Sequence, residues 1–89
     1  MNKILISYDL HKPVKDYEEL YRYLKGFGTR AKPLESLWMV KTSKSHIAIR
    51  DEIVAHIDKD DSIIVIDVSG DAMAWRGLGD KVSEWLKNN

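Results

Sequence analysis

Lys3-Ile4-Leu5-Ile6-Ser7-Tyr8-Asp9-Leu10 decides how this chain is read. The segment is apolar or small on both faces before Asp9, which predicts a first β-strand over Lys3–Leu10 covered on both sides. The strand delivers one aspartate at its C-terminal end. A carboxylate held there by rigid backbone is costly to bury unpaired. It is therefore either a metal or catalytic ligand or a structural cap on the following loop.

Working outward, His11-Lys12-Pro13 leaves the strand, and Pro13 disfavours helix at Lys12. Asp16 with Glu19 three positions later has the spacing of a reciprocal cap. Tyr17, Leu20, Tyr21 and Leu24 then fall on one helical stripe, opposite Glu18, Glu19, Arg22 and Lys25. Gly26 and Gly28 end that helix, with Phe27 packing back on it. Thr29–Pro33 reads as an edge strand or extended loop, because Pro33 argues against a long central strand.

Leu34–Thr42 reads as a strand with Leu37, Met39 and Lys41 on one face and Trp38, Val40 and Thr42 on the other. Ser43 or Ser45 caps a second helix whose stripe is Ile49, Ile53 and Ile57. Asp58-Lys59-Asp60-Asp61 is a polar turn. Ser62–Val68 is a β-branched strand. After a Ser69-Gly70-Asp71 turn, Asp80 caps a short last helix with Val82, Trp85 and Leu86 on its apolar side.

The 89 residues make one domain, with a core at 1–68 and a tail at 69–89. The element order β-α-β-β-α-β predicts an α+β, ferredoxin-like antiparallel sheet in the spatial order four, one, three, two, with two helices on one face and a C-terminal tail carrying a short helix. The other face keeps Leu5 and Ser7 and either Ile63/Val65 or Ile64/Ile66. An uncovered apolar face marks an interface. A homodimer with the tail at the seam is the expectation.

With 14 basic and 14 acidic residues the formal charge is zero, so the chain lacks the global field of a strong nucleic-acid binder. Any such binding needs a local patch or one assembled by a dimer. The absence of cysteine excludes disulfides and thiolate metal sites. No apolar run approaches membrane-spanning length and no signal-peptide pattern opens the chain. A cytoplasmic protein with no membrane partner is expected.

Ile6-Ser7-Tyr8-Asp9-Leu10, Gly26-Phe27-Gly28 and Ser36-Leu37-Trp38-Met39 together resemble the Cas-two family, the small subunit of the CRISPR adaptation module. The likeness is closer to short stand-alone members of the SinR-like kind, through Ile6–Leu10, Ser36–Trp38 and the Asp58–Asp61 turn. It spans Lys3–Val68. The resemblance implies a ferredoxin-like homodimer and a magnesium-dependent endonuclease acting on RNA or DNA, in which strand-one aspartates of two subunits face a shared metal. VapD-type toxins, also Cas-two-like ribonucleases, fall under the same expectation. The chain departs from the family in its neutral charge and in Pro33-Leu34-Glu35, which stands where an arginine or glutamine usually flanks the serine.

The candidate catalytic residues are Asp9, His11 and Ser36, with Asp9 as the magnesium ligand. Strands three and four run antiparallel to strand one, so Glu35-Ser36 and Asp60-Asp61-Ser62 start beside its end and several carboxylates gather at one sheet edge. Magnesium is held by one or two protein carboxylates, with water and phosphate oxygens completing the octahedron. His11 is placed for general acid–base chemistry, and Ser36 for a hydrogen bond to Asp9 or a phosphate. In the structural reading, Asp9 caps the His11–Val14 turn, His11 is a solvated loop residue and Ser36 merely opens a strand. His46 and His56 lack ligand spacing and read as surface residues, and Tyr8 reads as core. Lys12, Lys15, Arg30, Lys32, Lys41, Lys44 and Arg50 form no single run. The rival function is a non-catalytic dimeric module binding a protein partner or a small nucleotide at its seam.

Overall fold

The computed structural model describes residues 1–12 and 17–89. The Asp16 cap, Lys15 and the far end of the His11–Val14 turn lie outside the described residues. The elements are β1 (Asn2–Asp9), α1 (Glu18–Lys25), β2 (Thr29–Leu34), β3 (Leu37–Thr42), α2 (His46–Val54), β4 (Ser62–Asp67) and α3 (Asp80–Asn88). The four strands form one sheet in the order β2-β3-β1-β4, and every neighbouring pair is antiparallel. The fold is a small α+β domain.

β1 is central because it is apolar on both faces and pairs on both edges. Its even residues Ile4, Ile6 and Tyr8 join Trp38 and Val40 of β3 under both α1 and α2. Leu20 and Leu24 of α1 and Ile49 and Ile53 of α2 close this core with no exposed surface. Tyr17 also enters the core, whereas Tyr21 is exposed, so the stripe of α1 is narrower than its spacing predicts. Tyr23 takes the remaining place: it packs edge-on against Phe27 and its hydroxyl donates to Glu52 Oε1 of α2 at 2.6 Å. Lys44 Nζ reaches the same oxygen at 2.7 Å. Together Lys44 and Tyr23 hold the Glu52 carboxyl below its ordinary pKa against the opposing effect of partial burial.

Thr29–Leu34 is the edge strand β2, and Leu34 belongs to it rather than to β3. Glu35-Ser36 makes the turn between them, and the β2–β3 register shifts between Ala31 and Leu34, beside Pro33. Ser45 provides the cap of α2: its Oγ accepts from the Ala48 N–H at 3.1 Å. Gly79, not Asp80, is the cap residue of α3, and Asp80 stands in its first turn where the helix dipole favours a carboxylate.

Register settles which isoleucines of β4 face which way. Ser7 pairs with Ile64 and Leu5 with Ile66, so Ile64 and Ile66 share the second face with Leu5, while Ile63 and Val65 pack against the helix-side core. The tail crosses this second face. Met39, Ala31 and Leu86 are buried there, α3 packs on β2, and Trp75 Nε1 donates to Ser83 Oγ at 3.1 Å to fix the turn into α3. A groove of about 500 Å³ remains between the tail and Leu5, Leu37 and Met39. Cover is incomplete on the β4 side, where Ile64 is 55% and Ile66 41% exposed. Among the described residues no helix is long and apolar enough to cross a membrane.

Candidate functional site

Asp9 ends β1 as its only exposed residue, its side chain 77% accessible. His11 Nε2 stands 3.7 Å from Asp9 Oδ2, beyond hydrogen-bond reach. The strand ends meet as the antiparallel order requires: Tyr8 N–H donates to Ser36 O at 3.2 Å, and Asp9 pairs with Ser62. Asp9, Glu35 and Ser36 therefore line one groove of about 470 Å³ at this rim. Lys25 from the end of α1, Lys32 from β2 and the exposed ring of Tyr21 complete its wall.

The electrostatics of this groove are local. Lys44, Arg50 and Lys12 are each paired with an acid, at 2.7, 2.9 and 4.0 Å, and Arg30 donates to Phe27 O. Lys25 and Lys32 carry no hydrogen bond or ion pair among the described residues. Two unneutralised ammonium groups thus face the same space as two carboxylates. Lys25 and Lys32 come from different elements, so no charge run announces them.

The acids of the Asp58–Asp61 turn do a different job. Asp61 Oδ1 accepts from the His11 N–H at 2.9 Å, and Oδ2 from the Asp58 N–H at 2.9 Å. The Tyr17 hydroxyl donates to both oxygens at 3.0 Å. Burial works to raise the Asp61 pKa, but the donors from His11, Asp58 and Tyr17 outweigh it and hold the carboxyl below its ordinary value. The loop cap that the structural reading gives to Asp9 thus belongs to Asp61, and Asp9 is left facing solvent. Asp60 lies 4.0 Å from Lys12. Of the carboxylates expected at this edge, Asp9 and Glu35 share the groove and Asp61 locks the loop behind it.

This clamp has a pH signature. A carboxyl whose pKa is depressed on folding stabilises the fold above its unfolded value, near 3.9, and that stability fades as pH falls through the folded value. In Asp61→Asn, one oxygen becomes an NH₂ facing the Asp58 N–H or the His11 N–H, donor against donor. The variant is expected to unfold at lower denaturant than wild type at pH 7, with the gap narrowing below about pH 4 as the wild-type carboxyl is protonated. Chemical denaturation across pH checks this; a gap independent of pH would remove the charge from the argument.

Tyr8 and Trp38 belong to the core: the Trp38 Nε1–H donates to the Tyr8 hydroxyl at 3.2 Å, and both are nearly buried. His46 is exposed. His56 is only partly so: its Nδ1 lies 3.4 Å from Glu19 Oε2 and its ring tilts against Tyr23. Neither histidine approaches the groove.

The oxygen donors of Asp9, Glu35 and Ser36 are the hard ligands magnesium takes. Among the described residues no group of three histidines or acids converges, so a cation here would draw most of its shell from water and substrate, as magnesium commonly does. Compared with known protein families, with curated proteins and with solved structures, the chain matches none.

Proposed function

We propose that this chain is a Cas-two-like domain of ferredoxin-like fold that works as a homodimer, binds RNA or DNA along the Asp9 groove, and cleaves a phosphodiester there with magnesium. The observation carrying this reading is the convergence on one rim of a solvent-facing strand-end carboxylate with Lys25 and Lys32, which have no ion-pair partner among the described residues. With Asp9 and Glu35 the groove is formally neutral; a divalent cation held by the carboxylates would leave the two lysines to pair with phosphate oxygens of the backbone. The Tyr21 ring offers a face on which a base can stack. Asp9 is the first magnesium ligand, Glu35 stands beside it, and the Ser36 hydroxyl is a donor to a phosphate oxygen. When bound, magnesium polarises the phosphoryl group and lowers the pKa of its own water. His11 is the side chain near Asp9 suited to proton transfer around neutral pH.

The sparse donor set also supports a second reading, a dimeric module that binds a protein partner or a small nucleotide without cutting. One experiment separates them. The full chain is incubated with labelled single-stranded RNA and duplex DNA, with magnesium, manganese or a chelator, and binding is measured in parallel. Metal-dependent cleavage is expected. Binding without cleavage favours the module, and neither binding nor cleavage overturns the nucleic-acid reading.

A further inference from the structure

A second groove lies at the rim of the sheet opposite Asp9. It holds about 550 Å³ between the end of α1, the end of β3 and the starts of β1 and β2. Along β1, about 23 Å separates Asn2 at this rim from Asp9 at the other, at about 3.3 Å per residue. Arg22, Lys41 and Lys44 line the groove, and no carboxylate does. The Asp9 groove, by contrast, sets two lysines against two carboxylates.

The polar groups gathered here are donors. The Arg22 guanidinium makes no hydrogen bond or ion pair among the described residues. Nor do the N–H groups of Gly28 and Ser43 or the hydroxyls of Thr29 and Ser43 have a hydrogen-bond partner there. Lys44 Nζ is turned toward Glu52 at 2.7 Å and Lys41 Nζ toward Asn89 O at 3.3 Å, and each ammonium keeps a further N–H. The carbonyls that end α1 do not oppose an anion. Those of Arg22, Tyr23 and Leu24 accept from the Gly26 and Phe27 N–H groups, and that of Phe27 accepts from Arg30 Nη1.

Gly28 adds an independent observation. Its φ lies outside the left-handed region, and a Cβ there would meet nothing within 4 Å. Neither backbone conformation nor packing in the fold calls for glycine at this position, whereas close approach of a ligand to the backbone does. Beside it the Tyr23 and Phe27 rings meet edge-on at 5.3 Å, with the Tyr23 hydroxyl held by Glu52. This apolar corner is fixed before any ligand arrives, which lowers the cost of binding.

We infer that this groove binds a phosphomonoester carried on a ring-bearing group, of the size of a nucleoside monophosphate. A terminal phosphate presents acceptor oxygens and carries about −1.5 to −2 charge at neutral pH, the complement of a site made of donors and cations. The volume falls within the range of about 300–1,000 Å³ usual for small-molecule sites, and the aromatic corner takes the ring. The site is complete within one chain and lies away from Asp9, so it stands whether or not Asp9 supports cleavage.

The test is a titration of the ¹⁵N-labelled full chain with adenosine 5′-monophosphate, and separately with adenosine and with inorganic phosphate. The Gly28 and Ser43 amide signals are expected to move while those of Asp9 and Glu35 stay in place. The monophosphate is expected to bind several-fold more tightly than either of its halves. Arg22 is exposed, so Arg22→Gln should fold normally; it is expected to weaken binding about tenfold, the scale of one charge-assisted hydrogen bond. Gly28→Ala is expected to keep the denaturation midpoint and bind several-fold more weakly. No movement at about 1 mM, the upper end of ordinary small-substrate affinities, would overturn the proposal. So would movement centred on the Asp9 rim, or wild-type affinity in both variants.

Discussion

Asp9→Asn is expected to lower metal-dependent cleavage by about a hundredfold or more while leaving the fold and the denaturation midpoint unchanged. In the proposed mechanism Asp9 holds the catalytic cation against a transition state rich in negative charge, where loss of even one electrostatic contact costs about 10²–10³ in rate. The fold is spared because the Asp9 side chain is 77% exposed and makes no hydrogen bond among the described residues; His11 Nε2 lies 3.7 Å away. Asparagine keeps the shape and removes the charge. Nucleic-acid binding should survive, since Lys25 and Lys32 remain. The measurement is single-turnover cleavage of labelled RNA and DNA over a magnesium titration, with binding recorded beside it. Wild-type rates in the variant would take Asp9 out of the mechanism.

Ile6→Ala is expected to be the most damaging single change to stability, at about 2–5 kcal/mol. Ile6 has no exposed surface and lies on the central strand, paired with Trp38 on one side and Val65 on the other. The truncation leaves a void between sheet and helices that rigid strand neighbours on both sides cannot close. Domains are stable by only about 5–15 kcal/mol, and one of this size sits toward the low end. The variant should therefore be partly unfolded at 37 °C, whereas Ile6→Val should lose only about 0.5–1.5 kcal/mol. Urea denaturation followed by circular dichroism measures both. An alanine variant within about 1 kcal/mol of wild type would mean that the helix-side core collapses around the gap.

Much of this architecture is legible in the residues, for reasons that differ by element. β1 and β4 stand out because β-branched and apolar residues run without a helical period, and α2 because Ile49 and Ile53 repeat at one. Alternation alone leaves open whether Ile63/Val65 or Ile64/Ile66 faces the helices; only the register with β1 decides, and that is a tertiary fact. The boundary at Leu34 is hidden because an apolar residue before a turn looks the same at the end of one strand as at the start of the next. At the candidate site, Asp9 is visible from its place at the end of an apolar strand. Lys25, Lys32 and Tyr21 are not, since they come from α1 and β2 and meet Asp9 only through folding. The role of Asp61 is hidden for the same reason. Four polar residues in a row read as a solvated turn, and nothing local shows that Tyr17 and His11 will reach Asp61 from 44 and 50 positions away.

The tail over the second sheet face has a consequence for the order of events during folding. Met39, Ala31 and the strand residues around them are shielded by α3, which follows every strand in the chain. A chain that has paired its four strands still presents an apolar face until Leu86 and the rest of α3 dock. Over that interval it resembles the partly covered intermediates that aggregate or recruit chaperones.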